Sequence, residues 1–282
     1  MNPTEHEESL DPEDWDAMRA LAHRMVDDAI DYIETVGERP VWRPVPDDVA
    51  ARFYSPAPRK PEGPDAVYRA FQESIMPYPM GNIHPRFWGW YMGNGTVFGA
   101  LAEFLASIMN SNLGGGNHVS NLVEEQVLGW MKDIIGLPAS ASGLLVSGAS
   151  MANCVALAVA RNTKSGIQVR EEGLQGLTRK LKVYASVEVH SSNQKALELL
   201  GMGSRSLCLI PVNADFTIDL QALGSRISTD RQAGYRPICV IGNAGTINTG
   251  AVDDLNALAE VCQREDLWFH VDGAIGATAV LS

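Results

Sequence analysis

The chain has 282 residues, 45% hydrophobic and 20% charged, which is typical of one large or two small globular domains and excludes a chain that is disordered throughout. Its net charge of −12 argues against a nucleic-acid partner and an anionic membrane surface, because both need a basic face. The sequence has no uncharged apolar run of about 18 residues, so we expect no membrane span. The acidic start lacks the apolar segment of a secretory signal, and we expect a cytoplasmic protein.

Residues 1–80 are predicted to form a helical and proline-rich arm that does not fold alone. Asp11 as N-cap and Pro12 at the first helical position predict the start of an amphipathic helix. Its apolar stripe runs from Trp15 to Ile33. This stripe needs a cover, either from the rest of the chain or from a second subunit.

The remainder of this arm is rich in proline. Seven of the fifteen prolines lie in residues 40–64, which predicts an extended segment with one short helix near Val49. A further helix is predicted over Asp65–Met76.

Residues 81–282 are predicted to form an α/β domain with a mostly parallel sheet, because short apolar runs alternate with helical patterns. The predicted strands are Leu144–Ser147, Leu181–Ala185, Leu207–Val212, Pro237–Gly242 and Leu267–Val271. The predicted helices are Ala100–Asn110, Leu122–Ile135, Met151–Arg161, Ser192–Leu200, Leu220–Thr229 and Asp253–Arg264.

Small and polar residues follow four of the predicted strands, at the sheet edge where open α/β sheets bind ligands. The first segment, Ser147–Ser150, precedes a helix, so its backbone N–H groups suit an anion, although a plain helix cap has the same composition. It matches neither the dinucleotide-binding nor the P-loop fingerprint, which disfavours a nucleotide-binding domain. The other segments are His190–Ser192, Gly242–Thr246 and Asp272–Ala274.

Two histidines lie near these strand ends. His190 precedes two serines, one of which we expect to cap the next helix; its imidazole is either a surface cap or a ring that stacks on a planar ligand. Strand alternation places His270 and Asp272 on one side of the sheet. This pair suits a metal, a structural ion pair or a carboxylate facing a protonated ring nitrogen. The α/β pattern argues against the metal, and no metal site is predicted.

The four cysteines are predicted to be free and buried. They are widely spaced and lie in apolar stretches, which argues against a metal cluster or a disulfide framework. They are Cys154, Cys208, Cys239 and Cys262.

Six segments together form a recognisable set of motifs. They are HPRFWGWYMGNG (84–95), NLVEEQVLGWMKDIIGLP (121–138), GLLVSGASMANCVALAVAR (143–161), VYASVEVHSSNQKALELLGMG (183–203), GNAGTINTGAVDDL (242–255) and WFHVDGAIGA (268–277). This set resembles the pyridoxal-phosphate-dependent group II amino-acid decarboxylases of fold type I, such as aromatic-amino-acid and glutamate decarboxylases. HSSxxKAxxLLG combined with HVDxA is the specific part. The resemblance implies a homodimer, pyridoxal 5′-phosphate as cofactor and an amino acid as substrate.

The resemblance also implies residues that bind the cofactor. Ala149 and Ser150 would hold the phosphate, His190 would stack on one face of the pyridine ring, and Ala274 would contact the other face. Asp272 would pair with the ring nitrogen. His190 and Asp272 are therefore the predicted catalytic residues.

Four further residues are expected around the ring by the same resemblance. Thr246 and Asp253 would be supporting polar groups in the cofactor site. Trp88 and Tyr91 would form part of the substrate pocket wall, although an aromatic run of this kind is also typical of core packing.

The family needs a Schiff-base lysine beyond the HVDxA aspartate, and this chain has no lysine in its ten residues after Asp272. We therefore expect a C-terminally truncated chain that lacks this lysine and the small C-terminal domain, and that is inactive alone. Within the same fold type an aminotransferase or a carbon–sulfur lyase remains an alternative, as does a catalytically dead dimeric paralogue. Which amino acid is the substrate stays open.

Overall fold

The computed structural model describes residues 11–282, and this part of the chain divides into two compact units, residues 11–111 and 112–282. The first ten residues of the predicted arm lie outside the described residues. No helix within 11–282 combines the length and the apolar character needed to cross a bilayer. The predicted domain boundary after residue 80 stays a prediction.

The first unit is helical. The short helix predicted near Val49 and the helix predicted over Asp65–Met76 are both confirmed, the latter ending two residues earlier. The helices are α1 (Trp15–Glu34), α2 (Asp47–Arg52), α3 (Pro64–Ser74) and α4 (Val97–Met109).

Helix α1 begins later than predicted, because Asp14 and not Asp11 is its N-cap. One carboxylate oxygen of Asp14 accepts the backbone N–H groups of Asp16 and Ala17, both at 2.9 Å, which satisfies donors that no helical carbonyl can reach. The stripe predicted on this helix is uncovered within its unit: Trp15 is 62% exposed and Ile33 39% exposed.

The second unit contains a four-stranded parallel sheet with the strand order β2-β1-β3-β4, and this confirms the predicted α/β class. The strands are β1 (Leu181–Ser186), β2 (Leu207–Ile210), β3 (Arg236–Asn243) and β4 (Trp268–Asp272). The helices are α5 (Val119–Ile135), α6 (Ala149–Lys164), α7 (Val169–Glu172), α8 (Ser191–Leu199), α9 (Leu220–Gln232) and α10 (Leu255–Arg264).

Each face of this sheet packs against its own pair of helices. Tyr184 and Val240 point to the face covered by α9 and α10, where they pack with Leu223 and Leu258. Their strand neighbours point to the opposite face, which α6 and α8 cover. The apolar residues buried there include Val183, Cys239, Leu157 and Leu197. The sheet is therefore the middle layer of three.

The strand predicted over Leu144–Ser147 is wrong: these residues are irregular, and Leu144 and Leu145 are more than half exposed. An apolar run becomes a strand when a neighbouring strand pairs with its backbone. Here the backbone N–H of Leu145 donates instead to the carboxylate of Glu124 on α5, at 3.0 Å.

Candidate functional site

The carboxylate of Asp272 ends β4 and is held by two buried amides. Asn153 on α6 and Asn193 on α8 each donate an Nδ2–H to Asp272 Oδ2, both at 3.0 Å. The other oxygen, Oδ1, has one long contact of 3.5 Å with the backbone N–H of Ala274. A carboxylate oxygen accepts more than one hydrogen bond, so Oδ1 retains capacity for a further N–H donor.

His270 lies on the same side of β4 as Asp272, as predicted. Its Nε2 is 2.8 Å from Asn153 Oδ1, which makes Nε2 the donor because an amide oxygen can only accept. Burial lowers the pKa of His270 below its usual value, and the nearby Asp272 carboxylate opposes that shift in part. His270 is therefore neutral at pH 7, and its ring contacts Asn153 rather than forming the ion pair considered from the sequence.

His190 is exposed in the loop after β1 and is itself the N-cap of α8. Its Nδ1 accepts the backbone N–H of Ser192 at 3.2 Å and lies 2.7 Å from Ser192 Oγ. The prediction that Ser191 or Ser192 is the cap is therefore wrong: the Ser192 hydroxyl is occupied by His190 and by Asn153 Nδ2 at 3.1 Å. The rest of the imidazole is available to a ligand.

The N-terminus of α6 is open. Ala149 and Ser150 are exposed in its first turn, and the N-cap is Gly148, so the described chain provides no side-chain cap here. Gly148 has φ 158°, and a Cβ placed on it would meet no described atom within 4 Å. The N–H groups of this first turn therefore suit an anion such as a phosphate group.

Asp253 is buried and holds the end of β3 in place. Its carboxylate accepts the backbone N–H groups of Ile218 and Asn243, both at 2.8 Å, and the Asn243 side chain at 3.1 Å. Thr246, also buried, lies in the loop after β3 with its hydroxyl 2.6 Å from that of Thr249. Both side chains are thus committed to contacts within the protein.

The loops after β3 and β4 are tied together at a glycine. The backbone N–H of Gly276 donates to the Ala244 carbonyl at 2.9 Å, and a Cβ on Gly276 would come within 2.4 Å of that oxygen. This close approach requires glycine and fixes the loop that contains the exposed Ala274.

Trp88 and Tyr91 belong to the first unit, where they are 91% and 59% exposed. They are therefore not part of a core within that unit. Their position relative to the residues of the second unit stays a prediction.

The sequence predicted that His190, Asp272 and Ala274 lie at one end of the sheet, but it did not predict the roles of Asn153 and Asn193. A signal for both was present. Asn153 lies in the apolar stripe that continues through Leu157 and Ala160, and Asn193 lies on the buried side of α8. A polar residue within a buried helical stripe needs a hydrogen-bond partner, and here that partner is Asp272.

Comparison with known sequences gives matches over most of the chain. Residues 46–282 match the model of the pyridoxal-dependent decarboxylase conserved domain. An aromatic-L-amino-acid decarboxylase of Bacillus atrophaeus is 35% identical over 94% of this chain and 54% of its own length. Tryptophan decarboxylase 2 of Oryza sativa is 30% identical over 98% and 56%. An acidic amino acid decarboxylase of Bos taurus is 30% identical over 95% and 50%.

Solved structures give the same picture. The Oryza sativa enzyme solved with PLP and tryptamine has a TM-score of 0.82 at 26% identity, over 93% of this chain and 56% of that one. Mouse CSAD in its apo form shares the fold, with a TM-score of 0.85 at 24% identity over 95% and 57%. The chain spans about half the length of the relatives it matches.

Proposed function

Because the chain belongs to the pyridoxal-dependent decarboxylase family, we propose that the protein containing it removes the carboxyl group of an L-amino acid. The match confirms the family, the fold type and the cofactor, pyridoxal 5′-phosphate, that the sequence predicts. The reaction, substrate and partners of the whole protein are parts of the proposal.

The observation that supports the proposal most directly is the geometry of Asp272. Two amides hold Oδ2, while Oδ1 has capacity for the N–H of a protonated pyridine ring. When bound, the cofactor supplies an electron-accepting ring for the electron pair that remains after loss of carbon dioxide. Asp272 keeps a proton on the ring nitrogen by its negative charge. At a separation of about 4 Å and an effective dielectric constant of about 20, that attraction is about 4 kcal/mol before desolvation.

The other predicted residues fit around the same ring. We assign His190 to one ring face, because its imidazole is exposed and its Nδ1 is anchored, and the exposed Ala274 to the other face. Ala149 and Ser150 would hold the phosphate at the open N-terminus of α6.

Two further predicted residues would support the cofactor site indirectly. Asp253 would act indirectly, through the backbone and side chain of Asn243 at the end of β3. Thr246 would act through the loop that follows this strand. Their burial favours a role in holding the scaffold over direct contact with substrate.

Trp88 and Tyr91 are proposed as walls of the substrate pocket. Their exposed rings favour an apolar or aromatic side chain in the substrate. The relatives' names cover aromatic and acidic amino acids, so the family leaves the substrate class open.

We also propose a homodimer in which the apolar stripe of α1 is covered by the partner. The exposed Trp15 and Ile33 support a cover of this kind. Sedimentation of Met25→Glu tests it, because Met25 lies on the same helix and is 46% exposed. A dimer that is unchanged by this charge would contradict the assignment. The cytoplasmic location stays a prediction.

A product assay on the protein as it is encoded tests the reaction. Amino acids are supplied with pyridoxal phosphate, and carbon dioxide and amine are measured alongside keto acid. We expect carbon dioxide and amine in equal amounts. Keto acid would indicate an aminotransferase or a carbon–sulfur lyase, and cofactor binding without any product would indicate a catalytically dead paralogue.

The 282-residue chain alone is proposed to be inactive, because no lysine follows Asp272 in it. Borohydride reduction in the presence of the cofactor should leave no lysine of this chain specifically labelled. Turnover by this polypeptide, or a label at one lysine, would contradict the proposal. Lys195, the lysine nearest to His190 in sequence, is exposed on α8.

A further inference from the structure

One buried amide links the two side chains that the proposed function places at the ring. Asn153 is 3% exposed, and its Nδ2 donates both to Asp272 Oδ2 at 3.0 Å and to Ser192 Oγ at 3.1 Å. Its Oδ1 accepts from His270 Nε2 at 2.8 Å. Both N–H groups of this amide are thus used, and so is its oxygen.

The chemistry of the three partners fixes the orientation of this amide. Turning it over would place Oδ1 against the Asp272 carboxylate, where two acceptors would face each other. His270 supports the observed orientation as a neutral donor, because burial lowers its pKa. It thereby adds a hydrogen bond without adding a charge beside Asp272.

The same amide acts on His190 through Ser192. Because Ser192 Oγ accepts from Asn153, its own hydrogen is free to point to His190 Nδ1, 2.7 Å away. The backbone N–H of Ser192 donates to the same nitrogen. A nitrogen that accepts in this way holds no proton, so neutral His190 carries its proton on Nε2.

We infer that Asn153 is a positioning residue that orients the Asp272 carboxylate and, together with the backbone N–H of Ser192, keeps the proton of neutral His190 on Nε2. The inference rests on the proposed function, in which these two side chains contact the ring. Asn193 differs. Its Nδ2 donates to Asp272, but it contacts His190 only at the backbone carbonyl of that histidine, at 3.4 Å, and not at the ring. The two amides therefore predict different variant phenotypes.

The ionisable groups in this network come from two segments. Asp272 and His270 belong to β4, and His190 precedes α8. Helices α6 and α8 contribute amides and a hydroxyl to it. Of their ionisable residues nearby, Cys154 packs against the apolar cluster on that face and Lys195 is exposed.

The test uses 4-deoxypyridoxine 5′-phosphate, a cofactor analogue without an aldehyde, whose binding needs no lysine. Absorbance over a pH series gives the pKa of the ring nitrogen of the bound probe. In the protein as encoded, Asn153→Leu and Asn193→Leu should each lower that pKa by about one unit, a tenfold change, because each frees the Asp272 carboxylate to turn away from the ring nitrogen. Asn256→Leu, on the exposed side of α10, is the matched control and should titrate as wild type.

Nitrogen-15 NMR of labelled histidine separates the two amides, and the chain has six histidines to assign. Asn153→Leu should increase the fraction of His190 protonated on Nδ1, whereas Asn193→Leu should leave it unchanged. Asn153→Ser replaces the amide by a small hydroxyl group, and it provides the same comparison if the leucine variant does not fold.

Failure of the inference is distinguishable from failure of the proposed function. A wild-type protein that binds no probe, or an Asp272→Asn variant whose bound probe titrates as in wild type, overturns the proposed function. If both controls behave as expected and the Asn153 variants titrate as wild type, the inference is overturned. A wild-type spectrum with His190 protonated on Nδ1 also overturns it, and this result needs no variant.

Discussion

The two faces of the sheet each bury a carboxylate among several donors, with different results. On the face covered by α9, Asp230 Oδ2 accepts from Tyr184 Oη and Arg226 Nε, both at 3.0 Å, and contacts Cys208 Sγ at 3.5 Å. Tyr184 and Cys208 of this cluster belong to the apolar core on that face. On the opposite face, Asp272 stands at the end of β4, and its two amide donors likewise share one oxygen.

The comparison shows that a partly or fully buried carboxylate by itself does not identify a functional site. Asp230 stabilises the packing of α9 on the sheet: Tyr184 and Cys208 reach it from the core, and Arg226, 44% exposed, reaches it from α9 itself. Asp272 instead presents its second oxygen at an edge where loops and helix N-termini meet. Position therefore distinguishes the two: Asp272 lies at the end of the sheet, whereas Asp230 on α9 packs against side chains of β1 and β2.

The largest expected effect comes from removing the charge of Asp272, on the face covered by α6 and α8. Asp272→Asn in the protein as encoded should lower kcat roughly 10²–10³-fold, because most of an attraction of about 4 kcal/mol is lost. Steady-state kinetics checks this, with thermal melting as the control for folding. Full turnover by this variant would remove the functional difference between the two carboxylates.

The matched change at Asp230, on the face covered by α9 and α10, should affect stability instead. Asp230→Asn weakens the contacts of Tyr184 and Arg226 and should lower the free energy of unfolding by roughly 2–3 kcal/mol. Urea denaturation measures the loss, and binding of the cofactor analogue should be unchanged in the folded variant. A loss of binding with normal stability would contradict the structural role of Asp230.

A smaller effect is expected from pH. The pKa of His270 is lowered in the folded state, so the unfolded chain binds the proton more readily as the pH falls through its ordinary value of about 6.5. The free energy of unfolding should therefore decrease below that pH. Urea midpoints from pH 5 to 8 should show a shallower decrease in His270→Gln, which keeps an Nε2–H donor; an identical slope would contradict the assignment.

The smallest difference between the two faces concerns thiol reactivity. Burial raises the pKa of Cys208 and of Cys262 to about 11, and it also raises that of Cys239. Cys154 on α6 is half-buried. At pH 8 a thiol reagent should therefore label Cys154 first, as mass spectrometry of digested protein would show; earlier labelling of Cys208 would contradict this order.

The sequence predicted the elements whose pattern is local. Strands β1 to β4 and helices α8 to α10 follow alternating apolar runs and helical periodicity, and each lies within a few residues of its predicted bounds. The predicted strand over Leu144–Ser147 failed because pairing depends on a neighbour that the run itself does not specify. The cap of α1 was placed at Asp11 because the sequence Asp-Pro is a good start signal, whereas Asp14 provides the same chemistry closer to the apolar stripe.

The residues of the candidate site that follow strands were predictable from the sequence, but the hydrogen bonds between them and the helices were not. His190 and Asp272 were found because they follow apolar runs. The amides that hold Asp272 were missed because Asn153 is 119 residues and Asn193 is 79 residues away along the chain. Spacing within a segment cannot report contacts over such distances, which depend on how the helices pack on the sheet.

The strand order has a consequence for how the second unit assembles. β2 pairs with β1, then β3 joins the free side of β1, and β4 joins β3, so each later strand adds at an outer edge. No strand of this four-stranded sheet has to be inserted between two that have already paired. The sheet can therefore grow in the direction of translation, while the ribosome releases about 5–20 residues per second.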